Sequence, residues 1–228
     1  MDFNLTSDQS TWEEKATIFA QNEIAPCVSQ LEEDLAFRAQ LFHKMGKENF
    51  FLLFLQDTLS YLLALKNIAK VDAGIAVAMA VTNMVAEAIS FYGDETQKEK
   101  YLRAIANGEL VPASFALTEN MAGSDARNLQ MIANKVGSAY FLQGEKKFIT
   151  NGDMAGVLIV IAKTAPDQMT AFLVDRGATG MSVIKKERKL GLLTANLVAL
   201  RFERCPAQIL GKLGEGFKIA MRSLDSRR

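Results

Sequence analysis

The chain has 228 residues, 49% apolar and 23% charged, the balance of an ordinary soluble globular protein long enough to bury one large core or two smaller ones. Its 26 basic and 26 acidic side chains cancel, which excludes the basic face of a nucleic-acid reader and removes the net charge that keeps copies apart, so self-association is expected. A single histidine and two distant cysteines, Cys27 and Cys205, argue against a histidine-dependent triad, a multi-histidine metal centre and a disulfide framework, and they fit a reducing, cytoplasmic setting.

The N-terminus, Met1-Asp2-Phe3-Asn4, lacks the apolar core of a signal peptide. Thr6-Ser7-Asp8-Gln9 reads as a capping box opening a helix through Trp12, Ala16, Phe19 and Ala20. Pro26 kinks or breaks that helix, and the acidic Glu32-Glu33-Asp34 follows. A third segment, Arg38 to Leu55, contains His43, an ordinary helix residue by its context, and ends in the continuous apolar run Phe50–Leu55. Periodicity leaves that run open between helix and extended chain. Leu62, Leu65, Ile68 and Ala69 form a helix face within Tyr61–Val71. Ile75–Tyr92 is apolar nearly all round, as expected of the central helix of a bundle. Its Gly74–Ile89 stretch, broken by Thr82, Asn83 and Glu87, reads as too short and too polar to span a bilayer. Asp94-Glu95-Thr96-Gln97 is a second capping box, whose helix runs to Gly108.

After Val111-Pro112 the pattern changes to short runs rich in Val, Ile, Phe and Leu between glycine turns. The expected strands are Ala113–Leu117, Gln130–Val136, Ala139–Lys147, Val157–Lys163, Thr170–Val174, Ser182–Lys189 and Ala195–Glu203. A further helix starts at Phe217. The fold class is therefore α+β: an all-α helical bundle over 1–112, a β-sandwich or barrel over 113–215, and over 216–228 the opening of another helical unit.

Two segments stand out chemically. Phe115-Ala116-Leu117-Thr118-Glu119 leads from a strand into a loop with Gly123, Ser124 and Asp125, which offers backbone N–H groups and hydroxyls to an electron-rich ligand. Phe148-Ile149-Thr150-Asn151-Gly152 joins an aromatic surface to a hydroxyl at a strand end, a combination suited to a flat polar ring. Each alone is an ordinary strand-to-turn sequence.

Together, and in this order, Ala116-Leu117-Thr118-Glu119 with Ala122-Gly123-Ser124-Asp125, then Gly144-Glu145-Lys146 with Phe148-Ile149-Thr150-Asn151-Gly152, then Gly214-Glu215-Gly216-Phe217-Lys218-Ile219-Ala220-Met221 with Leu224-Asp225 and Arg228, resemble the acyl-CoA dehydrogenase family. The N-terminal Asp2-Phe3-Asn4-Leu5-Thr6 and Glu23-Ile24-Ala25-Pro26 resemble it too. The resemblance implies FAD between a helical domain, a β domain and a C-terminal helical bundle, with oxidation of the Cα–Cβ bond of an acyl-CoA thioester and electrons passed to an electron-transfer flavoprotein. It implies that Phe115, Leu117, Thr118 and Gly123 belong to the flavin loop and that Ser124 reaches flavin and substrate. Phe148, Ile149 and Thr150 would form a second flavin wall, and Asp225 and Arg228 would face the CoA.

This sequence departs from the pattern at three places. The family's C-terminal bundle, the usual source of the catalytic glutamate and of subunit contacts, is not in the sequence, and the alternative position for that base holds Arg227. No catalytic residue is therefore assigned, Glu119 included, and a partner or second copy is expected to complete the site. The stretch Lys47 to Leu65 lacks the usual glycine-rich loop, and the segment before Cys205-Pro206 is trimmed.

Overall fold

A computed structural model of the protein describes residues 4–225. Helix α1, Ser7–Phe19, opens on the Thr6 capping box, with Gln9 N–H donating to Thr6 Oγ1 at 3.2 Å and Thr6 N–H to Gln9 Oε1 at 3.0 Å. Pro26 kinks the chain without ending its helical course. The helix widens into a π turn over Ala20–Ile24 and tightens into a 3-10 turn over Ala25–Cys27, which absorbs the missing proline N–H, before α2, Val28–Glu33. Asp34 caps α3, Leu35–Lys47, accepting from Ala36 and Phe37 N–H at 2.8 and 3.0 Å.

The ambiguous run Phe50–Leu55 is neither a regular helix nor a strand. Phe50 and Phe51 are buried outside any regular element, Leu52 is left-handed at φ 68°, and a single turn, α4, covers Leu53–Gln56. Phe50, Phe51 and Leu53 are buried in the core, Leu52 and Phe54 pack at its margin, and Leu55 is exposed. Helix α5, Thr58–Val71, starts from the Asp57 cap, and α6, Ala73–Tyr92, from the Asp72 cap. Helix α6 is long and apolar enough to cross a membrane, contrary to the reading from the sequence, yet 72% of its most apolar window is buried inside the protein. Burial, not length, makes it the core helix. The second capping box opens α7, Glu95–Gln97, which continues as a π turn over Lys98–Leu102 into α8, Arg103–Ala106. Gly108 then reverses the chain at φ +76°, where a Cβ would lie 2.4 Å from the His43 carbonyl oxygen.

Seven strands follow: β1 Ser114–Ala116, β2 Ile132–Val136, β3 Ala139–Thr150, β4 Val157–Ala165, β5 Gln168–Asp175, β6 Met181–Lys186 and β7 Leu197–Leu210. Strands β4, β2, β3, β7 and β5 pair in that order, and β5 returns to β4, which closes a barrel. Strand β1 lies parallel to β4 outside the ring, and β6 pairs with β7. Alternation along β4 sends Leu158, Val160 and Ala162 into the barrel, with Phe172, Leu200 and Phe202. Val157, Ile159 and Ile161 point the other way, into a core shared with the helices. The final helix α9, Gly216–Asp225, joins that shared core through Ile219 and Ala220.

Candidate functional site

The site forms where β1 leaves the sheet beside the far end of β3. Between Lys146 and Ile149 the β3–β7 register shifts, so Lys147 and Phe148 bulge out, and Phe148 takes φ +57°. Two bonds hold this end of β3 to β1 and its exit: Lys147 N–H donates to Thr118 O at 2.8 Å, and Ser114 Oγ donates to Thr150 O at 2.6 Å. The loop after Thr118 folds back through a reciprocal backbone bridge between Glu119 and Ala122.

Behind the loop lies a buried ion pair. Lys146 Nζ is 2.7 Å from Glu119 Oε1 and donates to Leu117 O at 2.9 Å. The Glu119 carboxylate also accepts Gln130 N–H at 2.5 Å and Met131 N–H at 3.2 Å. Burial pushes the Lys146 ammonium down to about 8, against the opposing pull of the Glu119 charge. One residue from each motif thus locks the two segments together. The pairing escapes sequence reading because Glu119, in the loop after β1, and Lys146, on β3, are 27 residues apart in the chain, although each stands inside a motif.

In front of the loop is a cleft of about 500 Å³, lined on the barrel side by Phe115, Leu117, Thr118, Gly123, Ser124 and Thr150. Helix α6 contributes Val81 and Met84, and α9 contributes Phe217, Met221 and Leu224, which recur at helical spacing along one side of α9; Phe217 and Met221 also pack at the margin of the shared core. Asp125 and Arg127 supply its charges. The sequence offered no signal for the α6 residues or for Arg127.

Not every expected residue comes to this cleft. Phe148 is 51% exposed, with Lys147 Nζ 5.4 Å from its ring, and does not line it. The Ile149 side chain is buried in the barrel core. Asp225 is exposed at the end of α9, and Arg228, like Arg227, lies outside the described residues. The shortened stretch 47–65 contributes nothing to the lining.

Comparison with known proteins identifies the family and the fold. The model of the acyl-CoA dehydrogenase N-terminal domain matches residues 6–109, and that of the middle domain matches residues 114–205. An acyl-CoA dehydrogenase of Bacillus subtilis is 39% identical over 241 residues, covering 99% of this chain and 63% of its own length. The structure of butyryl-CoA dehydrogenase from Megasphaera elsdenii superposes with a TM-score of 0.89 at 35% identity, over 99% of this chain and 64% of that one. An acyl-CoA dehydrogenase from Bacillus anthracis, complexed with FAD, gives a TM-score of 0.91 at 27% identity, over 97% of this chain and 40% of that one. This chain therefore spans less than two thirds of the length of these relatives. By sequence and by fold, the chain belongs to the acyl-CoA dehydrogenase family.

Proposed function

We propose that this chain forms the flavin and thioester face of an FAD-dependent dehydrogenase that oxidises the Cα–Cβ bond of an acyl-CoA. One observation carries the proposal: Thr118, Ser124 and Thr150 share a cleft, and their hydroxyls make no hydrogen bond to any described residue. Free donors grouped over the apolar surface of Phe115 and Leu117 suit a flat ring with a polar edge. FAD, when bound, supplies the hydride acceptor. Thr118 and Thr150 would donate to the ring's polar edge, where fixed donors stabilise the electron density gained on reduction. Ser124 would reach both the ring and the thioester. Phe148 and Ile149 would complete the second wall, Ile149 through its main chain, and Asp225 and Arg228 would meet the CoA.

Among the described residues Asp125 is the one carboxylate lining the cleft, because Glu119 is held by Lys146. The base that removes the α proton is accordingly proposed to come from outside the described residues. The proposed units are 1–112, 113–215 and 216–228, with an electron-transfer flavoprotein as acceptor. The same lack of a free glutamate favours a second reading, a relative that binds FAD or acyl-CoA, or assembles with a full-length partner, without turnover. Titration with FAD, followed by flavin fluorescence and visible absorbance, tests both readings. Saturable binding that weakens about tenfold in Thr118→Val is expected. Absence of any FAD or acyl-CoA binding by the protein defeats both, and turnover of butyryl-CoA with an artificial acceptor separates the first from the second.

A further inference from the structure

Arg127 stands on a 3-10 turn, Ala126–Asn128, just past the Ser124 loop, and lines the same cleft as Thr118, Ser124 and Thr150. Its guanidinium carbon lies 3.9 Å from the centroid of the Phe217 ring. Stacking through the π face holds a guanidinium in place and leaves its N–H edge available. Among the described residues no carboxylate lies within ion-pair distance of Arg127, and none of its donors is hydrogen-bonded. Other arginines are engaged: Arg38 and Arg176 donate to main-chain carbonyls, and Arg201 pairs with Glu145. Asp125, the other charged group on the cleft, does not pair with Arg127. Arg127 is itself exposed, and a Cβ added to Gly123 in the same lining would meet no atom within 4 Å.

We infer that Arg127 is the anion-binding residue of this cleft and takes phosphate oxygens of the ligand seated against Thr118 and Thr150. The inference rests on the flavin and thioester reading above and deepens it. A planar fork of donors matches two phosphate oxygens at once, and a cation already stacked on Phe217 loses little freedom on binding. Both proposed ligands, FAD and an acyl-CoA, carry a pyrophosphate, so the shared chemistry is a phosphate group and the two sources are separable.

The test titrates the purified protein and its Arg127→Met and Arg127→Lys variants calorimetrically with inorganic pyrophosphate, FAD, riboflavin, butyryl-CoA and butyryl-pantetheine. Arg127→Met is expected to weaken pyrophosphate and at least one phosphate-bearing ligand about tenfold or more, with riboflavin and butyryl-pantetheine unchanged. Arg127→Lys, which keeps the charge but not the fork, is expected to fall between, and it serves as the probe should the methionine variant not fold. A loss confined to FAD assigns the flavin's pyrophosphate to Arg127, and one confined to butyryl-CoA assigns the thioester's. Pyrophosphate binding that depends on Arg127 in a protein binding neither FAD nor riboflavin upholds this inference and sinks the flavin reading. Equal affinities in wild type and both variants for every phosphate-bearing ligand overturn it.

Discussion

Thr118 and Glu119 are neighbours in the chain, yet they end on opposite sides of one wall. Glu119 turns inward to a buried lysine and two backbone N–H groups, so its acceptors are satisfied. Thr118 turns outward to the cleft with its hydroxyl free of protein partners among the described residues. The same division separates Lys146 from Thr150 on β3. Polar groups completed by the fold hold the wall together, whereas polar groups left open on its surface are those a ligand would complete.

The sharpest way to break this comparison is to remove the inward side. Lys146→Met strands the Glu119 carboxylate in the interior and is expected to cost about 3–5 kcal/mol in urea unfolding. A loss below about 1 kcal/mol would show that the buried pair is not what fastens the loop.

The second test is pH. Lys146 titrates near 8 in the folded chain against an ordinary 10.5. Below pH 8 both states hold its proton. Between about 8 and 10.5 the unfolded state binds more protons, so this residue makes stability rise with pH. The buried Cys205 thiol, pushed from 9.0 up to about 11, works in the opposite direction, because the folded state then keeps the proton that the unfolded state gives up. Lys146→Met retains Cys205, so wild type minus variant isolates the lysine. That difference is expected to grow by on the order of 3 kcal/mol across the window. A difference that stays flat removes the lysine's buried, charged character from the account.

On the outward side the effects are smaller and fall on binding. Thr150→Val is expected to lower FAD affinity about tenfold while shifting unfolding by less than about 0.5 kcal/mol. A larger loss of stability than of affinity would move Thr150 to the structural class. Smallest of all, Phe148→Ala removes a half-exposed ring and is expected to leave stability within about 0.5 kcal/mol. A fall in FAD affinity without a stability change would place that ring on the second wall, and no fall would remove it.

Much of the architecture was legible because it is written locally. The Thr6 and Asp94 capping boxes place helix starts, and the change at Val111-Pro112 separates helices from strands. Local pattern could not decide Phe50–Leu55, where two buried phenylalanines in irregular chain run into a single helical turn, nor whether Pro26 would kink or break its helix, where π and 3-10 turns carry the chain on. It also left sandwich and barrel undecided, because closure depends on β5 returning to β4, a pairing between strands whose residues look alike in either fold.

What the sequence by itself determined was the family, the order of helices and strands, and the two hydroxyl-bearing loops, since motifs and caps are properties of adjacent residues. Tertiary structure alone decided that Thr118 and Thr150 face one cleft, that Glu119 and Lys146 lock behind it, that the Phe148 ring is half-exposed while Ile149 is buried in the barrel core, and that Phe217 carries Arg127 to its edge. These are contacts between side chains far apart in the chain, set by barrel closure, the β3 bulge and the packing of α9, and no local pattern encodes their direction.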